Sequence, residues 1–190
     1  MNVPRLLLLT DRRQLPAGRQ LPETLRACAA AGLTHVVLRE HDLPPARRTA
    51  LLAALAAIDG LTVLSSRVPE PTAAGLHLAA SQPTGSAHPG LVGRSCHTPA
   101  EVRRAADEGV DYATLSPYAA TASKPGHGPP IDPAWLESDH RVPVLALGGI
   151  TPDNAASARA AGAHGVAVMG AVMRAAEPGA VVAQLLGALA

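Results

Sequence analysis

The residues of this chain that could do chemistry gather at the ends of short apolar runs. Arg39-Glu40-His41 follows one such run, His77 sits near the end of Gly75-Leu-His-Leu78, and Ser95-Cys96-His97 follows another. Histidine titrates near neutrality, so His41, His77 and His97 are candidates for moving a proton. His77, inside an apolar run, is equally well explained as a satisfied structural histidine. Arg39 offers a planar fork that suits a phosphate, or it pairs with Glu40 or Asp11. A different cluster is Val144-Leu-Ala-Leu-Gly148-Gly149-Ile-Thr151, followed by Val166-Ala-Val-Met169-Gly170. Both runs end in glycine, where the bare main chain approaches a ligand closely, and a following helix N-terminus adds positive partial charge. Together they read as a phosphate or other anion site, the alternative being turns where glycine only relieves crowding. Between the two groups lies a Pro/Gly-rich loop with Thr121, Ser123, Lys124 and His127, whose hydroxyls and cations suit an anion clamp. Lys124 is the single lysine among sixteen Lys and Arg residues. A compact ammonium does what a planar guanidinium cannot, although chance survival of one lysine is the plain alternative.

These clusters need a scaffold that brings strand ends together, and the pattern along the chain supplies one. Residues 5–9, 35–38, 61–64, 75–78, 91–94, 112–115, 142–147 and 165–169 read as strands. Residues 21–31, 44–58 and 177–189 read as helices, as do the segments that run from the caps Thr98 and Thr151 to about residues 108 and 161. Residues 133–137 form a short helix at most. Thr98-Pro99 and Thr151-Pro152 each supply a cap and a first-turn proline. Gly32, Gly109 and Gly162 close helices just before the next strand. Repeated αβ turns with apolar, non-alternating strands predict a parallel sheet covered by helices. Eight strand candidates favour one compact (β/α)8 TIM barrel over residues 1–190, with at least one helix, after the third strand, shortened or lost. An open flavodoxin-like sheet is the alternative. In such a barrel the chemistry sits at the C-terminal strand ends, and the loops after strands 7 and 8 commonly hold phosphate.

Composition removes several function classes. The net charge of +1 and 2% aromatic residues give no footprint for nucleic acid. Hydrophobic residues reach 47%, yet no apolar run is long enough for a membrane span. The N-terminal Leu6–Leu9 run is too short for a signal peptide, and Cys28 and Cys96 have no metal-type spacing, so a reduced, cytoplasmic protein is expected.

The ordered motifs also resemble a family. Thr10-Asp11-Arg12, Leu38-Arg39-Glu40, Gly75-Leu-His77, Gly93-Arg-Ser95-Cys-His97-Thr98, Asp111-Tyr112 and Ser116-Pro117 occur in order. With Thr121-Ala-Ser-Lys124, Ala146-Leu-Gly148-Gly149-Ile150 and Gly165-Val-Ala-Val-Met169, they resemble the thiamine phosphate synthase / thiazole tautomerase superfamily over nearly the whole chain. The resemblance implies a small β/α barrel that binds a thiazole phosphate. In the synthases a pyrimidine pyrophosphate, with Mg²⁺, loses pyrophosphate and the thiazole nitrogen attacks the resulting cation. It also implies phosphate contacts for Thr121, Ser123 and Lys124, a phosphate cradle at Gly148, Gly149, Met169 and Gly170, and ligand contacts for Arg39 and Ser95.

The chain departs from that pattern where metal and acid–base chemistry belong. The family's Gln-x-Arg-x-Lys segment reads Val37-Leu-Arg39-Glu40-His41, its Asn-Asp pair reads Ser65-Ser66, and the acid after strand 4 falls near Gln82. Neutral side chains are poor Mg²⁺ ligands, so a synthase would need Glu40, Asp11 or Glu70 as replacements, or arginines such as Arg39 and Arg67 on the pyrophosphate. A tautomerase needs only a phosphate anchor, an acid and a base. Its expected histidine is missing from Ser116-Pro117-Tyr118, and His41, at the synthases' lysine position, is the substitute candidate. The expectation is therefore a cofactor-free, metal-independent thiazole tautomerase-like enzyme. The alternatives are a thiamine phosphate synthase using Mg²⁺ and a non-catalytic phosphate-ligand-binding protein. The expected partner is a small phosphorylated thiazole-like substrate, with a homodimer left open.

Overall fold

The computed structural model describes residues 2–85, 90–120, 129–137 and 139–190. Eight parallel strands close on themselves: β1 (Leu6–Leu9), β2 (His35–Leu38), β3 (Thr62–Ser66), β4 (Gly75–Leu78), β5 (Leu91–Cys96), β6 (Tyr112–Leu115), β7 (Val144–Leu147) and β8 (Gly165–Val168). Each pairs with its neighbour in sequence, and β8 returns to β1 through Leu6↔Val166, Leu7↔Ala167 and Leu8↔Val168. The expected barrel is therefore the fold, and the flavodoxin-like alternative falls because an open sheet leaves its two edge strands unpaired.

Alternation along the strands divides the apolar residues between two compartments. Leu7, Leu9, Val37, Leu64, Leu91, Tyr112, Leu145 and Ala167 pack inside the barrel. The opposite faces, such as Leu8, Val36, Leu38, Val63 and Val166, pack outward with α1 (Leu21–Ala30), α2 (Pro45–Ala56), α3 (Pro99–Asp107), α4 (Pro152–Ala160) and α6 (Pro178–Ala188). The elements lie within a few residues of the expected ranges. The unforeseen piece is α5 (Gly170–Met173), which begins directly after β8, where the sequence reads only as the end of a strand.

Among the described residues the β3–β4 and β4–β5 crossovers carry no helix, and buried arginines hold their loops instead. Between β3 and β4, Arg48 reaches from α2 to Glu70 (3.1 Å), the Leu38 carbonyl (3.0 Å), the Ser65 hydroxyl (2.9 Å) and the Ser66 carbonyl (3.2 Å). Thr49 adds a hydrogen bond to Glu70 at 3.0 Å. After β4, buried Arg94 donates to the carbonyls of Ala79 and Gln82, to Thr84 and to Glu108. Its outward position on β5 lets it cover the barrel side that a helix would cover. The β6–β7 crossover carries only the one-turn helix Pro133–Trp135 among its described residues, so three crossovers have a shortened or missing helix. No helix among the described residues is long and apolar enough to cross a membrane.

Candidate active site

Inward-facing positions one step beyond the barrel core form a cavity of about 540 Å³ at the C-terminal mouth. Arg39, Ser66, His77, Ser95, Leu147 and Met169 border it, each following strand alternation from the core layer below. This places Arg39, His77, His97, Ser95, Gly148, Gly149, Met169 and Gly170 together, as the motif spacing implies. Thr121, Ser123, Lys124 and His127 lie outside the described residues. Arg67 and Arg174 also border the cavity. Arg174 stands one helical turn after Gly170 on the α5 side, so its role was hidden with that short helix.

Charge is distributed unevenly around the mouth. Arg39 is half-buried, burial draws its pKa below the ordinary arginine value, and no carboxylate pairs with it among the described residues. Among the described residues its Nη1 meets Met169 Sδ, a weak acceptor, and its backbone N–H donates to Thr10 Oγ1 at 3.0 Å. Arg67 is exposed, at a left-handed φ of 64°, with its backbone bound to the His77 and Gln82 segments. Across the mouth is the glycine turn. Gly149 has a φ of +65°, and a Cβ there would lie 2.5 Å from the Ala120 carbonyl oxygen. Asn154 ties the turn by donating to the Gly149 carbonyl at 2.9 Å, and no described backbone acceptor takes the Gly149 N–H. The glycine is thus required by the chain's own loop as well as by any ligand. At Gly170 the nearest atoms a Cβ would meet are those of the Arg174 guanidinium, the end of a flexible side chain.

The three histidines separate clearly. His77 is buried, with Nδ1 2.9 Å from Tyr112 Oη and Nε2 3.0 Å from Ser95 Oγ. Burial, reinforced by Arg39, Arg94 and Arg67, pushes its pKa down to about 4, so it is neutral at pH 7. His97 is exposed at the rim, with Nδ1 3.0 Å from the Ser116 carbonyl. His41 does not border the cavity; its Nε2 lies 3.3 Å from Ser66 Oγ. The residue is exposed, yet its ring is partly desolvated among Arg67, Arg48 and Arg39, which brings its pKa down to about 4. A base that weak, outside the cavity lining, fits poorly with the proton-transfer role expected of His41.

The Mg²⁺ implied by the synthase resemblance finds no fitting ligand set. All fifteen acidic residues lie among the described ones, and none borders the cavity. The three proposed replacements are already neutralised. Glu40 accepts from the Arg12 backbone (3.0 Å) and guanidinium (2.9 Å), Asp11 from Arg13 and Gln14, and Glu70 from Arg48 and Thr49. Gln82 uses its amide on the Arg67 carbonyl (2.7 Å) and the Ala79 N–H (3.2 Å). Among the described residues no group of three or more His, Cys, Asp or Glu could hold a metal ion.

A family model described as thiamine monophosphate synthase matches residues 70–172, more than half of the chain. The chain belongs to this family. It is 38% identical to the thiamine-phosphate synthase of Methanoculleus marisnigri, over 88% of this chain and 87% of that protein. It is 34% identical to the thiamine-phosphate synthase of Moorella thermoacetica, with 90% of each covered. A bifunctional thiamine biosynthesis protein of Symbiobacterium thermophilum is 35% identical over 90% of this chain, which spans 39% of that longer protein. The solved thiamine phosphate pyrophosphorylase of Pyrococcus furiosus shares the fold, with a TM-score of 0.83, 22% identity and coverage of 97% of this chain and 95% of that one. The protein is therefore an enzyme of thiamine biosynthesis. Its relatives carry the synthase name, the alternative to the tautomerase expected from the sequence.

Proposed function

We propose that this family member is a thiamine-phosphate-synthase-type transferase that joins a thiazole phosphate to a pyrimidine pyrophosphate. The observation that carries the reading is the placement of guanidiniums and a glycine turn around one cavity, a pairing suited to two anionic groups. Arg39 and Arg67 stand on one side, and the Gly148–Gly149 turn with the start of α5 stands on the other. In the reaction the C–O bond between the pyrimidine methylene and the pyrophosphate breaks, and pyrophosphate leaves with the electron pair. The thiazole nitrogen lone pair then forms the new C–N bond. Guanidiniums favour the departing charge, while the glycine turn holds the thiazole phosphate in line with the methylene carbon.

A second reading, metal-independent tautomerisation of a thiazole carboxylate phosphate, is favoured by one feature. The cavity carries imidazoles at His77 and His97 and no carboxylate, and this substrate too has two anionic ends. Incubation with thiazole phosphate plus pyrimidine pyrophosphate, in EDTA or in Mg²⁺, and separately with the thiazole carboxylate phosphate, distinguishes the two. Thiamine phosphate by mass and NMR supports the transferase; an isomerised thiazole alone supports the second reading. Ligand binding without turnover in any mixture leaves the carrier alternative.

A further inference from the structure

Tyr112, His77 and Ser95 form a hydrogen-bonded chain from inside the barrel to the cavity, and the transferase chemistry above does not use it. Tyr112 is fully buried, and its ring lies over Gly93, where a Cβ would come within 2.0 Å of the Tyr112 Cζ atom. Only glycine at position 93 therefore allows this phenol to sit beside the imidazole. The rings are 5.6 Å apart, and the Tyr112 hydroxyl has one hydrogen-bond partner among the described residues, His77 Nδ1 at 2.9 Å.

We propose that Tyr112 fixes the tautomer of His77 and so makes the Ser95 hydroxyl an obligatory hydrogen-bond donor into the barrel mouth, selecting a ligand with a phosphoryl oxygen there. A neutral imidazole has one N–H and one acceptor nitrogen. If Nδ1 carried the proton, the phenol oxygen would accept it and the phenol proton would be turned away and buried without an acceptor among the described residues, which is costly. The phenol therefore donates to Nδ1, and the ring proton resides on Nε2. Nε2–H donates to Ser95 Oγ at 3.0 Å, so the serine proton cannot point back at the ring. Ser95 borders the cavity, and no acceptor among the described residues takes its O–H, which leaves the cavity as the place for its acceptor. Arg39 and Arg67 face the same space, which favours an anionic acceptor over a neutral one. Tyr112 is thus a positioning residue, and Ser95 is the group that touches ligand. The ligand half of this inference rests on the phosphate-binding reading of the mouth, whereas the tautomer half stands on the buried geometry alone.

Long-range ¹H–¹⁵N correlation of histidine-labelled protein at pH 7 reads the tautomer directly. The expected His77 pattern is Nε2–H, in the unsubstituted protein and in Ser95→Ala alike; an Nδ1–H or imidazolium pattern in either overturns the relay. Inorganic pyrophosphate in EDTA is the binding probe. Ser95→Ala should weaken its binding about tenfold, the loss expected for one hydrogen bond to a charged acceptor. Tyr112→Phe should weaken binding by a smaller factor, and should add nothing in the Ser95→Ala background because it acts through that serine. Independent, additive effects overturn the coupling. If Tyr112→Phe does not fold, the histidine spectra and Ser95→Ala still decide. Failure of the unsubstituted protein to bind pyrophosphate overturns the ligand half together with the arginine pole of the proposed function, while leaving the tautomer result standing or falling by itself.

Discussion

Protonation of His77 should be an acid-sensitive step of this barrel between pH 6.5 and 4. Folding takes the imidazole out of water and surrounds it with Arg39, Arg94 and Arg67, lowering its pKa from 6.5 to about 4. The unfolded chain therefore binds a proton at a pH where the folded protein does not. Stability from this group is complete above pH 6.5 and is lost as the pH falls towards 4. By linkage the loss at pH 4 amounts to about 3 kcal/mol, a large share of the margin of an ordinary domain. His77→Gln removes the titration while keeping a polar group in the barrel. Urea unfolding followed by far-UV circular dichroism at half-unit pH steps gives both stability curves. The variant should be less stable at pH 7, and the two curves should converge by about 3 kcal/mol on acidification. Other groups with lowered values, including His35, His41 and Asp11, contribute equally to both proteins and cancel in the difference. Curves that stay parallel from pH 7 to 4 would refute the assignment of a neutral, desolvated His77.

Three further outcomes follow from the same geometry. Gly149→Ala should cost roughly 2 kcal/mol or more in urea unfolding, because left-handed backbone strain adds to collision with the Ala119 and Ala120 backbone. A neutral result would show that the turn relaxes freely. Arg48→Leu should cost about 3 kcal/mol or more by leaving Glu70 and two strand-end carbonyls without their cation, and Arg48→Leu/Glu70→Leu should recover part of that loss. A double variant no better than the single one would locate the loss in the carbonyls. Arg39→Ala should weaken pyrophosphate binding about tenfold or more by calorimetry, equally in EDTA and in Mg²⁺. A strict Mg²⁺ requirement for binding would overturn the arginine account of this pole.

The barrel was legible because its signals are local. Short, non-alternating apolar runs, prolines after threonine caps and glycines after helices each operate within a few residues, and they placed eight strand ends on one rim. The glycine turns and Arg39, His77 and Ser95 followed from being at those ends. His41 did not, because β2 ends at Leu38 and position 41 already lies in a turn, where strand alternation no longer sets the direction of a side chain. Helix α5 and the cavity-facing Arg174 were hidden because four residues are too few to show helical periodicity.

The sequence by itself determined that this is a β/α barrel of the thiamine monophosphate synthase family lacking two usual carboxylates. Only the tertiary structure decided which charges remain available. Arg12 with Glu40, Arg48 with Glu70 and Arg94 with Glu108 are separated by 28, 22 and 14 residues, and each pair closes only when the strands assemble. Their closure ties Glu40 and Glu70 to arginines and leaves Arg39 facing the cavity without a carboxylate partner. Burial likewise chose among three similar histidines. Strand patterning depends on neighbours in the chain, whereas ionisation and tautomer depend on what the whole fold brings within hydrogen-bond distance.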